Sequence, residues 1–159
     1  MAGKKTGKNP TNRAKSGVKR SVLTDANGIP LAVAVSGANT HDMRMTQETV
    51  ENIQAKRPKP TKKKKQNMCL DKGYDFDEVR DLLKEFGYTE HIPKRGEDAK
   101  RIKKSARKKA RRWVVERTHS WMNRFRGLLI RWSKKPENYI ALLHMVCALI
   151  TWRSTGLLR

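Results

Sequence analysis

The spacing of apolar positions changes several times along the chain, and each change marks an element. Val18–Asp25 and Ile29–Ser36 both favour strand, and Leu31, Val33 and Val35 alternate with small residues. Alternation places one face of such a strand on a core. Between the two lies Ala26-Asn27-Gly28, and Asn-Gly is a strong short-range hairpin signal. A helix is predicted from about Met43 to Ile53, with Thr40 or Asp42 able to cap its free N–H groups. Asn67–Leu70 is a short apolar run ending at Asp71. Val79, Leu82, Leu83 and Phe86 return at helical spacing. Asp75 with Glu78 resembles a capping box before them, and Gly87 is a helix stop after them. Tyr88–Pro93 then favours strand. The order strand, strand, helix, strand, helix, strand predicts an α/β fold, a sheet flanked by helices with the Asp71 strand parallel to a neighbour.

Gly96–Ser105 is polar and predicted as loop, and Ala106–Trp132 as one long helix. At 100° per residue, Val114, Trp121, Met122, Phe125, Leu128, Leu129 and Trp132 share one face of that helix. Arg112, Glu116, His119, Asn123 and Arg126 share the opposite face, so periodicity excludes Glu116 from the core. Pro136 opens or precedes a last helix, Glu137–Trp152, apolar nearly all round and therefore predicted to be buried. It is too short and too interrupted to span a membrane.

Residues 1–17 are basic, polar and rich in turn formers, which predicts a flexible arm. Residues 18–159 then form the folded part, with no firm boundary inside it. A formal charge of +22 on 159 residues calls for a polyanionic partner, because each Lys or Arg set against a phosphate releases condensed counterions. Lys62–Lys65 fall in a breaker-rich segment that should be an exposed loop. The basic N-terminus has no apolar stretch behind it and does not resemble a signal peptide. Cys69 and Cys147 have no zinc-ligand spacing and lie in apolar runs, so both are expected to be buried thiols in a reducing cytoplasm.

Asp71 at the end of an apolar run and Glu116 on a basic helix are the residues that suit chemistry. Sites of open α/β sheets collect at the carboxyl ends of strands. Carboxylates are natural ligands of Mg²⁺, and two such ions can activate a water and stabilise the leaving oxygen of a phosphodiester. The plainer alternatives are a turn aspartate and a solvated glutamate paired with Arg112 or Arg117. The histidines 41, 91, 119 and 144 form no ligand spacing. His119 lies on the Glu116 face, where it is either a surface histidine or a group that approaches DNA. Trp121 falls on the apolar face, and Trp113 at its edge is a candidate for stacking on a base.

The stretch GKNPTNRAKSGVKRSVLTDANGIPLAVAVSGANTHD, the motif DKGYD at 71–75 and the run R-x-x-x-ERTHSWMNRFRGLLIRW from Arg112 resemble the DDE transposases of bacterial insertion sequences. The likeness is to the four/five superfamily, with its helix-borne Arg-x-x-x-Glu signature, and it covers nearly the whole chain. It implies a ribonuclease-H-like mixed sheet, two Mg²⁺ ions, cleavage at transposon ends, and strand transfer into target DNA. Residue by residue, Asp71 matches the second acidic ligand and Glu116 the third. Arg112 matches the signature arginine, a phosphate contact. Lys109 stands where the signature has tyrosine, Arg124 lies near a downstream basic position, and Lys72 and His119 adjoin the two carboxylates. The family's first strand and its carboxylate, expected just upstream of the glycine- and lysine-rich start, have no counterpart in this sequence. Asp25 stands at the wrong end of the hairpin, and Asp42 precedes a helix.

The resemblance therefore implies a carboxy-terminal transposase portion, completed by an upstream-frame product or left as a remnant, with self-association through an open sheet edge. It implies a bacterial cytoplasmic location on the nucleoid and no membrane. The competing readings are a non-catalytic DNA-binding regulator of transposition and a basic RNA-associated protein.

Overall fold

A computed structural model describes residues 5–10, 13–94 and 112–156, the side chain of Arg112 excepted. These form two compact units, one from residues 1–54 and 113–159 and the other from residues 55–112.

The first unit is built on an antiparallel sheet of order β1-β2-β3, with β1 Gly7–Lys8, β2 Ser16–Thr24 and β3 Pro30–Gly37. The hairpin forms where Asn-Gly predicts it. The Asp25 carbonyl accepts from Gly28 N–H at 3.2 Å, and Asp25 Oδ1 accepts from the amides of Asn27 and Ile29, each at 2.8 Å. Gly28 has φ +80°, a left-handed conformation in which a side chain is strained. Asp25 is thus spent on the turn. The strand β1 lies within the segment expected to be flexible arm, because Gly7 and Lys8 pair with Gly17 and Ser16.

The sheet is covered on both faces. Val33 and Val35 pack into a core with Met122, Leu128, Tyr139, Leu143, Val146 and Ile150, and Val18 and Val22 lean against it. Ala32 and Ala34 point the other way, toward helix α1, Asp42–Glu51. There Asn52 Nδ2 donates to the Val33 carbonyl at 3.0 Å, and Thr49 Oγ1 lies 2.8 Å from Ser21 Oγ. The cap of α1 is neither Thr40 nor Asp42 but His41, whose Nδ1 accepts from Met43 N–H at 3.4 Å. Asp42 pairs instead with Lys19 at 3.2 Å.

The long helix expected to reach Trp132 stops early. Of its residues, 106–111 lie outside those described. Helix α3 runs Arg112–Asn123, a single turn α4 follows at Arg126–Leu129, and helix α5 is Pro136–Ser154. At the break, Arg124 and Phe125 bond back three residues, to Trp121 and Met122, and Phe125 turns extended at φ −89°, ψ 104°. Gly127 makes the bend possible, since a Cβ there would stand 2.8 Å from Leu142 Cδ2 on α5. The Tyr139 hydroxyl then donates to the Leu128 carbonyl at 3.2 Å. Leu128 stays buried, but Leu129 (57 % exposed) and Trp132 (74 %) leave the apolar face to which a continuous helix would assign them. Helix α5 is also not buried all round. Tyr139, Leu143, Val146 and Ile150 face the core, whereas Met145 and Trp152 are about half exposed, at 54 % and 48 %.

The second unit is a parallel β-α-β pair. Strand β4, Gln66–Cys69, pairs in parallel with β5, Tyr88–His91, through helix α2, Asp77–Glu85. Among its described residues, Met68, Val79, Leu83 and Ile92 are buried. Each buried Leu- or Val-sized side chain contributes roughly 1.5–3 kcal/mol. The capping box does not form: α2 starts after Phe76, which gives no side-chain cap, and Asp75 is engaged 2.6 Å from Arg80. Gly87 ends the helix as predicted, at φ +76° with its N–H on the Lys84 carbonyl at 2.9 Å. In the segment before β4, Arg57 stacks over Tyr88 at 4.0 Å and donates to the Phe86 carbonyl at 2.7 Å. The class is therefore α/β, with an antiparallel ladder and a parallel one that form two sheets among the described residues, where one mixed sheet was expected.

Candidate functional site

The two carboxylates belong to different units. Asp71 stands at the carboxyl end of β4 and is exposed. It caps a short 3-10 turn, Lys72–Tyr74, with Oδ1 accepting from Gly73 N–H at 2.7 Å. That bond holds the carboxylate through Oδ1. A Cβ on Gly73 would meet Asp71 Oδ1 at 2.8 Å, so glycine is what lets the carboxylate sit over its own turn. Among the described residues Asp71 forms no ion pair. Lys72 beside it is exposed. Asp75, the other acid of the motif, is committed to Arg80.

Glu116 is exposed on α3, as its periodicity requires. The next two residues fix the rotation of the helix. The Thr118 hydroxyl, fully buried, donates to the Gly28 carbonyl at 2.6 Å, and Arg117 donates to the Asn27 carbonyl. The Arg117 guanidinium is stacked between two indoles one turn apart on either side, 4.8 Å from the Trp113 ring and 4.9 Å from that of Trp121. Trp121 is half-buried and packs against the core, as its face predicts, and the exposed Trp113 carries the arginine. With both neighbours turned toward the hairpin, Glu116 projects from the other side.

His119 follows one turn later on the Glu116 stripe. Burial holds its pKa below the ordinary imidazole value, and the Arg20 charge lowers it further, so it favours the neutral form. Arg124 is exposed and lies in the break just after α3. Lys109 and the side chain of Arg112 lie outside the described residues.

Cys69 is exposed, contrary to expectation, because it is on the outward side of the two-stranded β4-β5 ladder. Cys147 is half-buried, and burial pushes its thiol up to about 11. Among the described residues no three His, Cys, Asp or Glu side chains converge on one point. Nor is any helix there long and apolar enough to cross a membrane. Sequence patterns did not pick out Arg20 or Thr118, although Arg20 interrupts the alternation Val18, Val22 and was visible in that sense, and they offered Arg117 only as an ion-pair partner of Glu116, whereas it donates to the Asn27 carbonyl.

A basic α/β chain with a strand-end aspartate and an outward helix glutamate has the make-up of a nucleic-acid-processing protein. Comparison with known proteins narrows the class. Residues 2–151 match the family model for the transposase DDE domain, and the chain belongs to that family. It is 37 % identical over 153 residues to a putative transposase for insertion sequence element IS402 from Burkholderia cepacia, covering 94 % of this chain and 70 % of that protein. The match starts at residue 2, so the basic first segment lies inside the family domain. No solved structure matches the chain.

Proposed function

We propose that the chain acts on DNA as an insertion-sequence transposase, with Asp71 and Glu116 as carboxylates of a metal-dependent strand-cleavage site. The observation that carries this is the family match over residues 2–151, which contains both acids in the motifs DKGYD and Arg-x-x-x-Glu. The antiparallel hairpin followed by a parallel β-α-β pair is compatible with a ribonuclease-H-like fold.

Both carboxylates fit a hard divalent cation such as Mg²⁺, since each is exposed and offers oxygen. Bound there, two such ions would supply an activated water and charge stabilisation for a leaving phosphodiester oxygen. The chain's own work is positional. Gly73 N–H holds Asp71, the Arg117–Thr118 pair turns Glu116 outward, and Arg112, Lys109, Lys72, Arg124 and His119 contact the phosphate backbone. The substrate is DNA, at element ends and target, and the location is the bacterial nucleoid.

A second reading, a DNA-binding regulator without catalysis, is favoured by the absence of a three-carboxylate cluster among the described residues. Mg²⁺- or Mn²⁺-dependent nicking of a duplex carrying the element's ends separates the two. Cleavage by wild type, lost in Asp71→Ala and in Glu116→Ala, supports the catalytic reading. Salt-sensitive binding with no cleavage supports the regulator.

A further inference from the structure

Arg20 occupies a position that strand alternation reserves for an apolar side chain. Val18 and Val22 on either side of it pack on the core, and its cross-strand partner Val35 is a core residue. Cross-strand partners share a face, so Arg20 projects from β2 toward the α3 side of the sheet. There one nitrogen, Nη2, donates to Asn123 Oδ1 at 2.7 Å on the exposed side of the guanidinium. The other, Nη1, is buried and has no partner. Among the described residues no carboxylate pairs with Arg20. Its charge is felt nearby: it adds to the burial that lowers His119 and opposes the burial that raises Tyr139 and Cys147.

A guanidinium held between a core and a helix without a counter-ion is unusual, because partly buried charges are normally paired. Its place explains what would pair it. Glu116, His119 and Asn123 follow one another at i, i+3 and i+7 along α3, one stripe of the helix. Arg20 reaches the end of that stripe from the sheet. A planar guanidinium is better suited to a phosphate than to a single carbonyl.

We propose that Arg20 is a phosphate-binding residue, its exposed Nη2 edge taking one backbone phosphate of a DNA strand that runs along the Glu116–His119–Asn123 stripe. The proposal rests on the reading of this chain as DNA-binding and adds a contact that lies outside the signature motifs. Arg20 positions the strand. It is not a catalytic residue.

The test is the salt dependence of binding to a fluorescently labelled mixed-sequence duplex, for wild type, Arg20→Met and Arg20→Lys. Loss of one phosphate contact flattens the slope of log K against log salt by about 0.9 in Arg20→Met, while Arg20→Lys keeps the slope. A merely structural role would leave the slope of a folded Arg20→Met protein unchanged, and that result overturns the proposal. Should Arg20→Met not fold, Arg20→Gln takes its place, since its amide can still donate to Asn123 but carries no charge. The same flattening of the slope is expected, and an unchanged slope overturns the proposal. A wild type that binds no duplex at all overturns the DNA-binding reading and this contact with it, which is a distinct outcome.

Discussion

The Thr118 hydroxyl donates to the Gly28 carbonyl at 2.6 Å, tying helix α3 to a hairpin turn 90 positions earlier in the chain. The turn is shaped to receive it. Gly28 sits at φ +80°, and a Cβ there would lie 3.0 Å from Thr118 Oγ1 and 3.2 Å from an Arg117 guanidinium nitrogen. Glu116 is two residues before Thr118, about 200° away around a helix, so the bond that pulls Thr118 inward is also what points Glu116 outward. The hairpin glycine and the candidate carboxylate are in this sense one structural device.

Thr118→Val keeps the shape of the side chain and removes the bond. With the Gly28 carbonyl left facing a methyl group, the expected loss is about 1–3 kcal/mol. Gly28→Ala should destabilise as well, since alanine is strained at that backbone angle and meets Thr118 besides. Urea denaturation measures both. A lower midpoint at unchanged slope is expected, and an unchanged midpoint for Thr118→Val would remove the bond from the account.

The hairpin, the first helix and the parallel β-α-β pair were legible because each rests on local signals. Asn27-Gly28 fixes the turn, alternation fixes the β3 faces, and Gly87 stops α2. The long helix was misjudged at one place. Phe125, Leu128, Leu129 and Trp132 keep helical spacing, yet Gly127 packs against Leu142 of α5, a tertiary contact that no local window contains. The caps failed for a related reason: Asp75 finds Arg80, and Asp42 finds Lys19, so both obvious capping side chains are drawn into ion pairs. For the site, periodicity correctly exposed Glu116, and the strand end exposed Asp71. The supports of Glu116 were not legible, because Arg117 and Thr118 act on residues far back in sequence.

Gly73→Ala tests the support of Asp71. The new methyl group would overlap Asp71 Oδ1, which must swing off the residue-73 amide. Asp71 is exposed, so stability should change by no more than about 0.5 kcal/mol. Amide hydrogen exchange at position 73 should accelerate, and metal-dependent nicking, where wild type shows it, should fall. A protected amide with full activity would mean that the bond does not hold the carboxylate.

His119 gives the fold a defined pH response. Its folded pKa lies below the ordinary value of 6.5, through burial first and the Arg20 charge second. Above pH 6.5 both folded and unfolded chains carry a neutral imidazole, and His119 costs nothing. Below it the unfolded chain takes up a proton that the folded chain resists, so stability falls as pH drops from about 6.5 through the folded value. His119→Gln should flatten that part of a stability-against-pH curve. An identical slope in the variant would assign the effect to another group.

The two thiols should differ sharply in reactivity. The thiolate is the nucleophile, and Cys147, pushed up to about 11 by burial, holds almost none of it at pH 8. Cys69 is exposed at the end of β4, two residues before Asp71. A disulfide reagent at pH 8 should therefore label one thiol per folded chain quickly and the second only on unfolding. Cys69→Ser should abolish the fast phase and leave the slow one. Because Cys69 adjoins the Asp71 turn, the same labelling carried out with and without duplex reports on the candidate site. Protection of Cys69 by DNA would place the strand near β4, whereas equal rates would put the DNA elsewhere on the chain.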